Sequence, residues 1–97
     1  MIYGVYCIRD DAAQVFLTPV LEKNDLLARR NFENACYSGY VNNQLLGTHP
    51  QDFALYKVAT FDDEKAIFDQ LVPAELICRG SMALYRKLRG GDKDEVS

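Results

Sequence analysis

The chain has no tryptophan, one histidine, three cysteines, three prolines and six glycines among its 97 residues. Each scarcity removes a class of chemistry. Cys7, Cys36 and Cys78 stand far apart with no C-x-x-C pair, and with His49 as the single histidine they lack the close ligand spacing of a structural zinc site. Each lies among apolar neighbours, so small buried thiols are expected. The glycines are scattered and form no phosphate-cradling loop. A Cys–His nucleophile would need His49 and a distant cysteine, which nothing in the pattern brings together. No enzyme activity, cofactor or metal is therefore expected. Apolar runs extend only a few residues, too short to span a bilayer. Because no basic region precedes an apolar stretch at the N-terminus, no signal peptide is expected, and the cytoplasm in which the chain is made is the expected location.

What is present is the composition of an ordinary globular protein, 48% hydrophobic and 26% charged. A chain of this length buries roughly 60–70% of its unfolded surface. Residues 1–89 are therefore expected to form one domain, followed by a disordered charged tail over 90–97. The net charge is −3, and its layout is uneven. Asp62, Asp63, Glu64, Asp69 and Glu75 face only Lys65 over residues 61–75, whereas Arg79, Arg86, Lys87 and Arg89 meet no acid over 76–89. A local basic patch can still hold nucleic acid, without the long-range attraction of a strongly basic chain.

Residues 2–9 are rich in β-branched and aromatic types and read as a strand, with Tyr3, Val5, Cys7 and Arg9 on one side. Asp10-Asp11 makes a turn into a second strand over 14–21, placed at an edge or bent by Pro19. Asn24 is a good N-cap for a helix from Leu26, with Ala28, Phe32, Ala35 and Cys36 on one stripe and Gly39 as its stop. Residues 39–52 read as a polar connection. Residues 53–61 form a third strand, and 66–69 a short fourth beyond the turn at 62–65. Pro73 suits the first turn of a C-terminal helix, which Gly80 weakens. The order β-β-α-β-β-α argues for an α+β fold: a small, mostly antiparallel sheet with helices packed on one face.

One group of strings carries a resemblance. Tyr6-Cys7-Ile8-Arg9-Asp10, Phe16-Leu17-Thr18-Pro19, Asn24-Asp25 with Ala28, Arg30, Asn31 and Phe32, and His49-Pro50-Gln51-Asp52-Phe53-Ala54-Leu55-Tyr56 follow one another in register from Met1 to about Phe61. In that order they resemble the small nonstructural protein of gokushoviruses, in the microvirus branch of single-stranded-DNA bacteriophages. The chain departs from that pattern after the third strand, where Asp62-Asp63-Glu64-Lys65 replaces a glycine-containing turn. The resemblance implies a protein outside the virion that binds DNA in the infected bacterium, during the switch from double-stranded intermediates to single-stranded genomes.

Single-strand binding needs cations for phosphates and ring faces for bases. Six tyrosines and five phenylalanines are available. The candidates are Tyr3 with Arg9 on the first strand, Tyr56 with Lys57 on the third, Arg29 and Arg30 on the helix, and the cluster Arg86, Lys87 and Arg89. For each a structural role competes: ring burial for the tyrosines, ion pairs with Asp25 or Glu33 for Arg29, and the negative end of a helix for the last cluster. The acidic pairs Asp10-Asp11 and Asp62-Asp63 fall in turns, so two-metal chemistry is not expected. The expected partner is single-stranded DNA, bound without sequence readout by a homo-oligomer, and no membrane. The competing class is an interaction module for phage or host replication proteins that does not touch DNA.

Overall fold

The structure, a computed structural model, describes residues 1–38, 40–41, 44–45 and 50–81. Strand β1 (Ile2–Asp10) is the centre of one antiparallel sheet. On one side it pairs with β2 (Val15–Phe16) and β3 (Val20–Glu22), and on the other with β6 (Phe53–Asp62), which in turn pairs with β7 (Ile67–Arg79). Helix α1 (Asp25–Ser38) crosses between the two sides. A second, two-stranded ribbon joins β4 (Tyr40–Val41) to β5 (Gln44–Leu45), and a single 3-10 turn covers Pro50–Asp52.

The helix begins as its sequence dictates. Asn24 Oδ1 accepts the Leu27 N–H at 2.9 Å, and Asp25 places a negative charge at the positive end of the helix. Ala28, Phe32, Ala35 and Cys36 then fall on one buried stripe. They pack against Tyr6 and Ile8 of β1, Phe53 and Leu55 of β6 and Cys78 of β7. Leu17 and Ile77 close the margins of this core.

The sheet is not flat. Val5 pairs with Ala59 and Tyr6 with Lys57, leaving Val58 as an extra residue; Leu55 pairs with Cys78 and Tyr56 with Leu76, leaving Ile77. A longer irregularity holds residues 71–74, where the Val72–Pro73 peptide is cis. Bulges bend a strand and increase its twist. The sheet accordingly curls as a half-barrel with α1 in its hollow.

This architecture corrects the expected α+β fold with two helices packed on one face. The protein is mostly antiparallel sheet, and α1 alone among the described residues is a long helix. The short fourth strand is instead the 13-residue β7 and runs through Pro73, the residue expected to open a second helix. Proline fits both settings. It tolerates the first turn of a helix, and equally an edge strand at a bulge where no ladder N–H is needed. Ile77 and Cys78 decide for the strand by contributing to the core. The expected strand over 14–21 is also two pieces, separated at Leu17–Pro19. The turn of 39–52, expected as a plain connection, contains the ribbon and the 3-10 turn. Gly39, His49, Arg86, Lys87, Arg89 and the tail at 90–97 lie outside the described residues.

Candidate nucleic-acid interface

Directly opposed residues of neighbouring strands project from the same side of a sheet. With Tyr6, Ile8 and Leu55 facing the helix, the register assigns the outer, convex face. Tyr3 lies beside Phe61 and Phe68; Cys7 beside Tyr56 and Leu76; Arg9 beside Phe16 and Ala54, with Arg79 beyond. No helix covers this face among the described residues. Val5, Cys7 and Ala54 are buried beneath their neighbours, while Phe16 and Phe68 are 46% and 62% exposed.

The rings on this face are organised. Phe16 meets Tyr56 edge-on, with centroids 5.7 Å apart, and the Arg9 guanidinium lies 5.1 Å from the Phe16 centroid. Phe61 and Phe68, symmetric about the 63–66 turn, stack obliquely at 4.6 Å. Arg9 also donates from Nε to Asp11 Oδ1 at 2.9 Å. Arg79 is exposed at the outer strand.

Tyr3, Arg9 and Tyr56 are thus brought onto one face: alternation along β1 puts Tyr3 with Arg9, and the pairing of Cys7 with Tyr56 adds the third. Lys57 is not: it shares the concave side with Tyr6 and its Nζ contacts Asp25 Oδ1 at 3.2 Å. Asp25 also accepts a 2.5 Å hydrogen bond from the Tyr6 hydroxyl. That hydrogen bond, aided by Lys57, holds the Asp25 carboxyl below its ordinary range. Burial, then the same hydrogen bond, pushes the Tyr6 hydroxyl well above its usual value. Asp25 is therefore occupied by Tyr6 and Lys57, and Arg29 keeps a buried Nε without a hydrogen-bond partner. Arg30 is exposed on the helix, away from the ring-bearing face. Phe16, Phe61, Phe68 and Arg79 were absent from the sequence candidates. Hairpin register was the signal for them: a turn at 11–14 sets Phe16 opposite Arg9, and a turn at 63–66 sets Phe61 opposite Phe68.

The acidic pairs behave as turn residues. Asp10 Oδ1 accepts the Ala13 N–H at 3.1 Å and Asp62 Oδ1 the Glu64 N–H at 2.9 Å. They sit at opposite ends of β1, since Asp10 pairs with Phe53 and Asp62 with Ile2. A nine-residue strand separates them by roughly 25–30 Å, so they do not converge on a shared metal pair. Asp62, Asp63 and Glu64 do place carboxylates within 4.8 Å of one another, but the Met1 amino group already lies 2.7 Å from Asp63 and 3.3 Å from Glu64. The three cysteines are buried and free of disulfides. Burial foremost, then Cys78 and Glu33, pushes the Cys36 thiol up to about 11, and burial raises Cys7. Thiols held protonated in this way are poor nucleophiles. Among the described residues no helix is long and apolar enough to cross a membrane.

A curled sheet whose hollow is filled by a helix, and whose back presents rings and arginines, is a small β-rich protein with a face rather than a cleft as its candidate working surface. The chain belongs to the family described as Phage ORF5 protein, whose model matches residues 3–83, and it is a phage protein. The match continues past Phe61, where the resemblance in the sequence strings ends. Searches of curated proteins and of solved structures found no match.

Proposed function

We propose that the protein binds single-stranded DNA on the convex face of its sheet, without sequence readout, in bacteria infected by a gokushovirus, during the switch to single-stranded genome synthesis. The observation that carries this reading is the Arg9–Phe16–Tyr56 cluster, a cation and two rings on a face that no helix covers among the described residues. Bases stack on rings while arginines meet phosphates, a combination that tolerates any sequence. The protein acts in the host cytoplasm, outside the virion and without catalysis. It works as a homo-oligomer, because one small face offers few contacts for a strand.

The test is a titration of labelled single-stranded and duplex DNA at two salt concentrations. Affinity for the single strand falls with salt at a slope of about 0.7 per phosphate contact. Arg9→Ala and Arg79→Ala each lower that slope by about 0.7. Phe16→Ala and Tyr56→Ala each cost about 1–3 kcal/mol of binding, whereas Lys57→Ala, on the other side of the sheet, leaves the slope unchanged. Absence of binding at low salt overturns the reading. It leaves a second one, a module that docks on phage or host replication proteins. Exposed apolar side chains on β7, Phe68 and the 82% exposed Val72, favour that alternative.

A further inference from the structure

Strand β7 pairs with β6 on one side, and among the described residues no strand pairs with its other side. An open edge on a strand of 13 residues is a template for a further strand. Its side chains alternate in chemistry as well as in direction. Phe68 and Leu76 project on the convex face, beside Phe61 and Tyr56. Asp69 and Glu75, beside Thr60 and Lys57, project on the opposite face. All four are exposed, Phe68 at 62% and Leu76 at 42%, and Val72 between them reaches 82%. Lys57, the cation opposite Glu75, is engaged by Asp25 at 3.2 Å. The edge thus shows apolar groups to one side and carboxylates to the other.

We infer that this edge receives an extended segment of a partner protein whose side chains alternate apolar residues with lysine or arginine. Main-chain hydrogen bonds to the outer side of β7 hold such a strand, and its alternate side chains select it. Its apolar residues cover Phe68 and Leu76, and its cations meet Asp69 and Glu75. Residues 71–74, which include Pro73 and break the ladder to β6, divide that pairing into two short runs. Two other occupants fit worse. A second copy, antiparallel about Val72, sets Phe68 opposite Leu76, but then Asp69 of each copy stands opposite Glu75 of the other. Like charges directly opposite destabilise a pairing. The phosphates of a nucleic acid would meet the same two carboxylates, so this edge serves a different ligand from the Arg9–Phe16–Tyr56 cluster.

The probe is a short, dye-labelled synthetic peptide alternating valine with lysine, titrated with the full chain in the absence of DNA and followed by fluorescence anisotropy. It binds saturably, and a counterpart with glutamate for lysine binds about tenfold or more weakly. N-methylation of one alternate set of its residues abolishes binding and of the other set is tolerated, because only one set turns its N–H groups toward β7. Val72→Lys, at a side chain already in solvent, keeps the folded circular dichroism spectrum and weakens the peptide by about tenfold. Asp69→Lys combined with Glu75→Lys reverses the preference toward the glutamate peptide. Absence of saturable binding, equal binding of the two peptides, an equal response to the two methylated sets, or an unchanged preference in the doubly substituted chain each overturns the proposal. So does a dimer of the full chain that Val72→Lys dissociates in light scattering, which assigns the edge to a second copy. With no DNA present, failure here and failure of the DNA reading are separate results.

Discussion

Replacing Gly4 by alanine drives a methyl group into the outer end of the Tyr6 ring, where it meets the hydroxyl, Cε2 and Cζ. Tyr6 is fully buried and cannot swing away without leaving the core. Overfilling a packed site of this kind costs about 1–3 kcal/mol. Displacement of the ring also breaks the Tyr6–Asp25 hydrogen bond, and bonds to charged groups contribute about 1.5–3 kcal/mol. Together the substitution costs about 3–5 kcal/mol, a large share of the stability of a small domain. The partner variant is Tyr6→Leu, which removes the ring atoms that the methyl would strike. In that background Gly4→Ala becomes neutral, or stabilising by about 0.5 kcal/mol through reduced unfolded-chain freedom. Urea unfolding followed by circular dichroism on the four proteins of the cycle gives the coupling directly. Equal costs for Gly4→Ala in both backgrounds refute the claim that the glycine exists to admit the Tyr6 ring.

Asp25 has its folded carboxyl value depressed by Tyr6 and Lys57, so its contribution to stability is complete above its ordinary 3.8 and is lost as pH falls through the lower folded value. With the side chain 48% exposed the effect is screened, and Tyr6→Phe is expected to show a shallower acid loss in thermal melts from pH 6 to about 2. Tyr6 has a raised folded value, so its contribution is complete below its ordinary 10.0 and declines as pH rises beyond it; the same variant lacks this alkaline loss. Ala66 has φ 55°, a left-handed conformation that costs a residue with a side chain roughly 1–2 kcal/mol. Ala66→Gly therefore stabilises the protein by about 0.5–1 kcal/mol in urea unfolding after the greater entropy loss of glycine is subtracted, and a neutral or negative change counts against the turn geometry.

How much of this was legible depended on whether the determinants were local. Helix α1 could be read because an asparagine cap and three-to-four-residue spacing act within a few turns, and Ala28, Phe32, Ala35 and Cys36 are buried as that spacing requires. The faces of β1, and of β6 as far as Lys57, could also be read, since alternation placed Tyr3 with Arg9 and separated Tyr56 from Lys57; past the extra residue at Val58, Ala59 and Phe61 turn to the side of Tyr56, where unbroken alternation puts them with Lys57. What alternation did not supply was the pairing of Tyr56 and Lys57 as one site: adjacent residues of a strand face opposite ways. Strand β7 was illegible for a different reason. Its extra residue at Ile77 and the irregularity at 71–74 break the period of two, so a proline and a glycine outweighed a pattern that was no longer visible. The half-barrel follows from those same bulges, and bulge positions are set by pairing with β6, a contact distant in sequence.

The ring-bearing convex face is the feature that the fold alone does not require. An antiparallel sheet packed on one side can leave its other side polar, alternating apolar inward with polar outward. Here the outward row instead holds Phe16, Tyr56, Phe61, Phe68 and Leu76, interrupted by Arg9 and Arg79. Neutralisation of Arg9 by Asp11 does not disable it as a phosphate ligand. The pair is partly exposed, with side-chain accessibilities of 31% and 43%, and such pairs contribute about 0–1 kcal/mol. Exchange of Asp11 for a phosphate therefore costs little, while the Phe16 ring continues to hold the guanidinium in place. Lys57 is in the opposite situation. Its ammonium, with the Tyr6 hydroxyl, secures the start of α1 through Asp25, and withdrawing it for an external anion would loosen the attachment of the helix to the sheet. Charge count alone treats the two residues alike; their partners separate one that is free to change its anion from one committed to the fold.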